Sequence, residues 1–228
     1  MIPNLFIFSL GFIAQGLFSA RLLVQWLTSE KAKKVMSPAI FWQLSIFASL
    51  LLLIYGILRK DIVIAGGQLI TYYIYVRNLK IQKAWTLFPP WLRWTSSLAP
   101  LFALLFLFFN HQGYNVNNLI HNPTISIFTF TLGSVGQIIF TFRFVFQWVY
   151  SEKKGESLLP VTFWWISLAG ALITVGYAVI RQDPVILLGQ IFGTVVYGRN
   201  LILDFIDKKN DSEGIKRDDK KVKLLKLS

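Results

Sequence analysis

Most of this chain is written twice. Residues 6–79 and 128–201 align without a gap at a constant offset of 122 positions. Matched pairs include Gly11/Gly133, Gln15/Gln137, Arg21/Arg143, Gln25/Gln147 and Ser29-Glu30-Lys31/Ser151-Glu152-Lys153. Pro38/Pro160, Trp42/Trp164, Tyr55/Tyr177 and Asp61/Asp183 follow, then Gly67-Gln68/Gly189-Gln190, Tyr75/Tyr197 and Arg77-Asn78/Arg199-Asn200. A long apolar repeat constrains the fold more than any short motif, because two like halves must pack against each other.

The repeated unit has the composition of a membrane protein. Of 228 residues, 54% are hydrophobic and only 15% charged, against roughly 25% charged in soluble domains. Residues 1–20, 38–58, 94–142 and 158–180 hold no Asp, Glu, Lys or Arg. Runs of about 20 such residues suffice to cross the hydrocarbon as a helix. The expected fold is therefore an all-α integral membrane protein with seven transmembrane helices, near 3–27, 38–58, 62–80, 93–110, 124–149, 159–180 and 184–205. Residues 1–81 form a first three-helix repeat, 82–122 a linker helix with an external loop, and 123–206 a second three-helix repeat. Residues 207–228 read as a basic cytoplasmic tail without regular structure, in which Lys220 to Leu227 could lie on anionic lipid or simply solubilise the chain. The N-terminus lacks a basic leader region and its repeat partner lies deep in the chain, so it reads as a retained helix.

The unmatched fourth helix has a geometric purpose. Three crossings leave the chain on the far side, and one more restores the starting side. Two parallel repeats in a three-plus-one-plus-three plan result. The basic residues agree. Lys31, Lys33 and Lys34, then Arg77, Lys80, Lys83 and Arg93, then Lys153 and Lys154, then the tail lysines all fall on one side with seven crossings. That side should be the cytoplasm, with the N-terminus outside and the protein in a bacterial inner membrane. A six-helix plan would split these loops between the two sides. The net charge of +12 is thus a matter of topology, and nucleic acid is not an expected partner.

Several chemistries are excluded. There is no cysteine, so disulfides, thiolate metal sites and cysteine nucleophiles are ruled out. His111 and His121 flank a polar loop and are too few to hold a metal. No acidic residue falls within a span before Asp204, Asp61 and Asp183 read as ordinary ion-pair partners of Arg59 and Arg181, and no catalytic set, phosphate-binding glycine loop or cofactor motif is present.

The informative residues are polar ones inside the helices, since these face protein or a cavity rather than lipid. Gln15, Arg21 and Gln25 share one face of the first helix; Gln68, Tyr75 and Asn78 share one face of the third. Arg21, Gln25, Trp42, Arg77 and Asn78 are expected to meet near the cytoplasmic end of the first repeat. Arg143, Gln147, Trp164, Arg199 and Asn200 would do so in the second. Four guanidinium groups near a shared axis suit the oxygens of a phosphate or sugar phosphate. Gln15, Gln68, Tyr75, Gln137, Gln190 and Tyr197 would line the path. A structural reading stands beside this one. Arg77 and Arg199 could snorkel at helix ends, Arg21 and Arg143 could pair with Glu30 and Glu152, and the glutamines could bridge helices.

The segments FSARLLVQWLTSEKAKKVMSPAIFW and FTFRFVFQWVYSEKKGESLLPVTFW, with the endings YVRNL and YGRNL, resemble the lipid A biosynthesis N-terminal domain family in tandem copies. The helix plan resembles SWEET and PQ-loop transporters. The first resemblance implies a place in lipid A or envelope glycolipid assembly. The function expected is a transporter or flippase-like carrier of a phosphorylated glycolipid or polyprenyl-linked sugar, working among membrane lipids and with a glycosyltransferase as a possible partner. The alternatives are the membrane part of a lipid-A-disaccharide synthase, or its activity, and a SWEET-like sugar uniporter. A non-enzymatic role is preferred, because the glycosyltransferase portion of such synthases has no counterpart in this sequence.

Overall fold

A computed structural model describes residues 4–109 and 125–225, with side chains described between 5 and 209. His111, His121 and the Lys220–Leu227 side chains lie outside the described set. The described residues form seven α-helices, one 3-10 turn and no strand. They are α1 (Asn4–Ala32), α2 (Ala39–Leu58), α3 (Ile62–Ile81), α4 (Pro90–Phe109), α5 (Ile127–Lys154), α6 (Val161–Ile180) and α7 (Pro184–Leu225).

Two helices outrun their expected ends for the same reason. α1 and α5 continue through the Ser-Glu-Lys runs to Ala32 and Lys154, past the expected 27 and 149. Side chains four residues apart tie these last turns together. Trp26 donates to Glu30 at 2.8 Å and Trp148 to Glu152 at 2.8 Å. Gln25 donates to Ser29 at 2.9 Å and Gln147 to Ser151 at 2.8 Å. α5 then stops at Gly155, whose φ of 69° is the left-handed conformation suited to glycine. α7 runs on to Leu225, through the segment expected to be irregular. No proline interrupts it there, and its start is reinforced by the pair Lys208–Asp204 at 2.7 Å.

Among the described residues six helices are long and apolar enough to cross a membrane, where the sequence suggested seven. The exception is α3, which carries Gln68, Thr71, three tyrosines, Arg77 and Asn78 in 20 residues. Its polar groups are covered by neighbours. Gln68, Thr71, Tyr72, Tyr75 and Asn78 are all buried. A helix so enclosed has no need of an apolar surface all round.

Within each matched segment the helices pack in order, α1 on α2 on α3 and α5 on α6 on α7. Two seams, α3 against α5 and α1 against α7, close the circuit. α4 lies outside it, on α2 and α3. Tyr72 donates to the Ser96 carbonyl at 2.6 Å, and Leu107 packs with Leu53, Ile57 and Ala65. The main core gathers Trp42, Phe41, Tyr75 and Leu79 with Trp164, Phe163, Tyr197 and Phe144.

Candidate functional site

The seams are held by polar pairs that cross from one segment to the other. Gln25 and Asn200 exchange two amide hydrogen bonds, at 2.8 and 3.1 Å. Gln147 and Asn78 repeat the pair at the same distances. All four side chains are fully buried. Each asparagine also returns a bond to the carbonyl four residues earlier in its own helix, which fixes its orientation. The sequence placed Gln25 with Asn78 and Gln147 with Asn200, inside single repeats. The folded chain swaps them, because α1 neighbours α7 and α5 neighbours α3.

The same exchange governs the acids. Arg77 donates to both oxygens of Glu152 through Nε and Nη2, along one guanidinium edge, and Arg199 pairs with Glu30. Arg21 and Arg143 therefore do not meet Glu30 or Glu152, and the expected cluster of four arginines separates into two pairs. Beyond the opposite end of the helices, Tyr55 donates to Asp183 at 2.8 Å and Tyr177 donates to Asp61. Arg59 approaches Asp183 at 3.9 Å and Arg181 approaches Asp61 at 3.6 Å. The sequence had each aspartate beside the arginine two residues before it. Instead each carboxylate divides its work. One oxygen of Asp61 caps α3 at the Val63 and Ile64 amides, at 3.0 and 3.2 Å, while the other faces the second segment. Asp183 does the same at Val185 and Ile186. The matched Tyr55 and Tyr177 were the sequence signal for this contact.

Between these two tiers lies a cavity of about 80 Å³. Gln15, Gln68, Tyr75, Gln137, Gln190 and Tyr197, the six residues expected along a path, all line it. Of the ten expected to bind substrate, only Arg21 and Arg143 do. Gln25, Asn78, Gln147 and Asn200 form the seam pairs, and Arg77 and Arg199 the outer ion pairs. Trp42 and Trp164 stand behind the lining, fully buried, with their rings 6.0 and 6.1 Å from those of Tyr75 and Tyr197.

The two lining arginines are unusual. Arg21 and Arg143 are 4% and 2% exposed, yet no carboxylate lines the cavity. Arg21 donates to Ser45 Oγ at 2.7 Å and lies 4.4 Å from the Phe18 ring centre. Arg143 lies 3.7 Å from the ring centre of Phe140. Phe144 stands between them, 5.6 Å from Arg21 and 4.6 Å from Arg143. Its counterpart in the first segment is Leu22, so a search for matched residues passes it over. Aromatic faces partly offset the burial of a cation. They do not satisfy its N–H groups. Arg21 Nε and Arg143 Nε and Nη1 have no hydrogen-bond partner among the described residues. The cavity thus presents two buried positive charges and free donors, which an anion would complete.

Two stretches of the chain, residues 10–80 and 132–202, match the model of the Lipid A Biosynthesis N-terminal domain. The chain belongs to that family, in two copies. The copies take in Gln15, Arg21, Gln68 and Tyr75 and their four mates, so the family segments supply both walls of the cavity. A lipid-A-disaccharide synthase of Chlamydia pneumoniae is 30% identical over 191 residues, covering 81% of this chain and 32% of that protein. The lipid-A-disaccharide synthase of Chlamydia felis is 28% identical over 211 residues, covering 86% and 33%. The chain spans about a third of the length of these curated relatives. No solved structure matches it.

Proposed function

We propose that this protein is a seven-span carrier of the bacterial inner membrane, in which two parallel three-helix repeats and a linker helix enclose a path for a phosphorylated glycolipid or polyprenyl-linked sugar of lipid A assembly. The observation that carries this reading is the pair of buried arginines, Arg21 and Arg143, lining one cavity with free N–H groups and no acid. In a membrane interior such charges are costly unless they serve a ligand. A phosphate supplies the missing acceptors.

The loops also support the orientation. Gln82 donates to the Ser37 carbonyl at 2.6 Å, and Ser37 and Ser157 lie 3.3 Å apart. The segments following α1, α3 and α5 therefore gather at one end, the end that carries the clustered lysines. By the positive-inside rule that end faces the cytoplasm.

A cavity of about 80 Å³ has room for a few waters and is small for a sugar phosphate. On this reading the structure is the closed form of the path. Movement of one segment against the other must open it. The paired ions at the cytoplasmic end and the Tyr–Asp contacts at the other are then the two closures.

The relatives' names favour a second reading, that the chain is the membrane part of a lipid-A-disaccharide synthase. One reconstitution separates the two. In proteoliposomes, wild-type chain should move a phosphorylated glycolipid between leaflets, and Arg21→Gln with Arg143→Gln should abolish movement. Formation of a disaccharide from a nucleotide-sugar lipid by the purified chain, with no translocation, would select the synthase reading instead.

A further inference from the structure

The α3–α5 seam carries a second hollow, an apolar groove of about 500 Å³ on the outer side of the helices. That volume lies in the range of ligand clefts, and its lining is dominated by aliphatic and aromatic side chains. Ile70, Ile138 and Phe142 flank it and are 55%, 67% and 54% exposed. Gly66 and Ser134 form part of its floor. A Cβ built on Gly66 would meet nothing within 4 Å.

Two side chains, Val63 and Gln137, belong to both hollows. Gln137 crosses the seam over Gly67, filling the space that a Cβ there would need, and donates to Thr141 at 3.3 Å. The Gln137 amide and the Val63 side chain thus lie between the apolar groove and the cavity that holds Arg21 and Arg143.

The other seam is built differently. Offset by the repeat, Gly66 corresponds to Leu188 and Ser134 to Phe12. The first segment's glycine and the second segment's serine are small where the copied positions carry larger side chains. The hollow is a local departure from a shared plan.

We infer that the α3–α5 groove seats the hydrocarbon chain of a phosphate-bearing lipid whose head enters the central cavity past Gln137. The inference rests on the carrier reading and adds where the cargo's hydrocarbon chain sits while its anionic head is held. The groove supplies a surface that matches hydrocarbon, and the arginines of the adjoining cavity supply charge complementarity. A soluble sugar phosphate would use only the second. A neutral membrane lipid would use only the first.

The test uses the full chain in phosphatidylcholine nanodiscs with two photoactivatable probes. One is a phosphatidic acid carrying a diazirine in one acyl chain; the other is the matching diacylglycerol. Labelling of peptides spanning Ile62–Ile70 and Phe130–Phe142 should be about tenfold stronger with the phosphate-bearing lipid, the factor expected from one charge-assisted contact. Gly66→Leu with Ser134→Phe, which copies the other seam, should remove the excess. Dodecyl phosphate should compete in the wild type and dodecyl maltoside should not, a result that needs no variant to fold. Equal labelling by the neutral lipid, an excess that survives filling of the groove, or crosslinks there to a second copy of the chain would each overturn the inference. Translocation without groove labelling would sink this inference and leave the carrier reading standing. Preferential labelling that persists in Arg21→Gln with Arg143→Gln would keep the groove and sink the arginine site.

Discussion

The exchange of partners between the two segments makes a quantitative prediction at Asp61. Its carboxylate is 1% exposed. One oxygen accepts from the Val63 and Ile64 amides. The other accepts from Tyr177 and lies 3.6 Å from Arg181. Tyr177→Phe removes one charged hydrogen bond from a buried acceptor, which costs about 1.5–3 kcal/mol. Asp61→Asn keeps the helix cap, since asparagine caps as well as aspartate. It removes the charge that makes the Tyr177 bond strong, roughly halving that bond. The two substitutions should therefore be less harmful together than their sum by about 1 kcal/mol, a coupling typical of residues in one network. Tyr55 donates to Asp183 instead. Tyr55→Phe and Asp61→Asn should add within about 0.3–0.5 kcal/mol, as independent sites do. The assay is reversible unfolding in mixed micelles with rising detergent denaturant, read by tryptophan fluorescence. If Asp61 couples to Tyr55 and not to Tyr177, the segments keep their partners to themselves and the exchange is wrong.

Three further outcomes follow from the same contacts. Gly67→Ala should destabilise by about 1–3 kcal/mol, because its Cβ would overlap the Gln137 side chain, and Gln137→Ala should relieve it. Gly66→Ala, one residue away, meets open space and should stabilise by up to about 1 kcal/mol through helix propensity; the same unfolding titration reads both. Glu152→Gln should barely change stability, since the Arg77–Glu152 side chains are 49% and 35% exposed, and the small difference should vanish in high salt. Arg143→Met should leave stability unchanged or raise it by about 1–4 kcal/mol, because it removes a buried cation with unpaired N–H groups, while phosphate binding measured by calorimetry is lost.

The helices were legible because charge-free runs and an unbroken repeat leave few other folds for such a chain. The residues lining the cavity were legible for a related reason: Gln15, Gln68, Tyr75 and their copies sit on helix faces that must avoid lipid. The partners were not legible. A one-dimensional repeat says that Gln25 and Gln147 are equivalent. It cannot say whether Gln25 meets Asn78 or Asn200, because both choices respect the symmetry. Only the packing of α1 on α7 and α5 on α3 decides it. The helix ends were misjudged where charge was taken as a stop. In Ser-Glu-Lys the glutamate is anchored by a tryptophan one turn earlier, so the helix continues. Phe144 and the groove escaped because both are departures from the repeat, and a filter for matched residues discards departures.

The two ends of the cavity are closed by contacts of unequal strength, and this bears on how it could open. At the lysine-rich end, Arg77–Glu152 and Arg199–Glu30 are partly exposed. Exposed pairs contribute little, so water and salt can replace them cheaply. Behind them, however, the Gln25–Asn200 and Gln147–Asn78 pairs are fully buried, and separating them exposes eight amide donors and acceptors that must be rehydrated together. At the opposite end, the cap and the cross-segment contact of Asp61 and Asp183 use different carboxylate oxygens, so parting the segments leaves the caps of α3 and α7 in place and leaves one buried oxygen of each carboxylate to be rehydrated. On the carrier reading, opening there uncovers a charged oxygen of each buried aspartate, whereas the outer ion pairs are already partly in water, so the first tier to yield is the exposed ion pairs. The barrier that sets the rate at that end belongs to the buried amides rather than to the charges, so weakening an amide pair should speed opening more than neutralising Glu30 or Glu152.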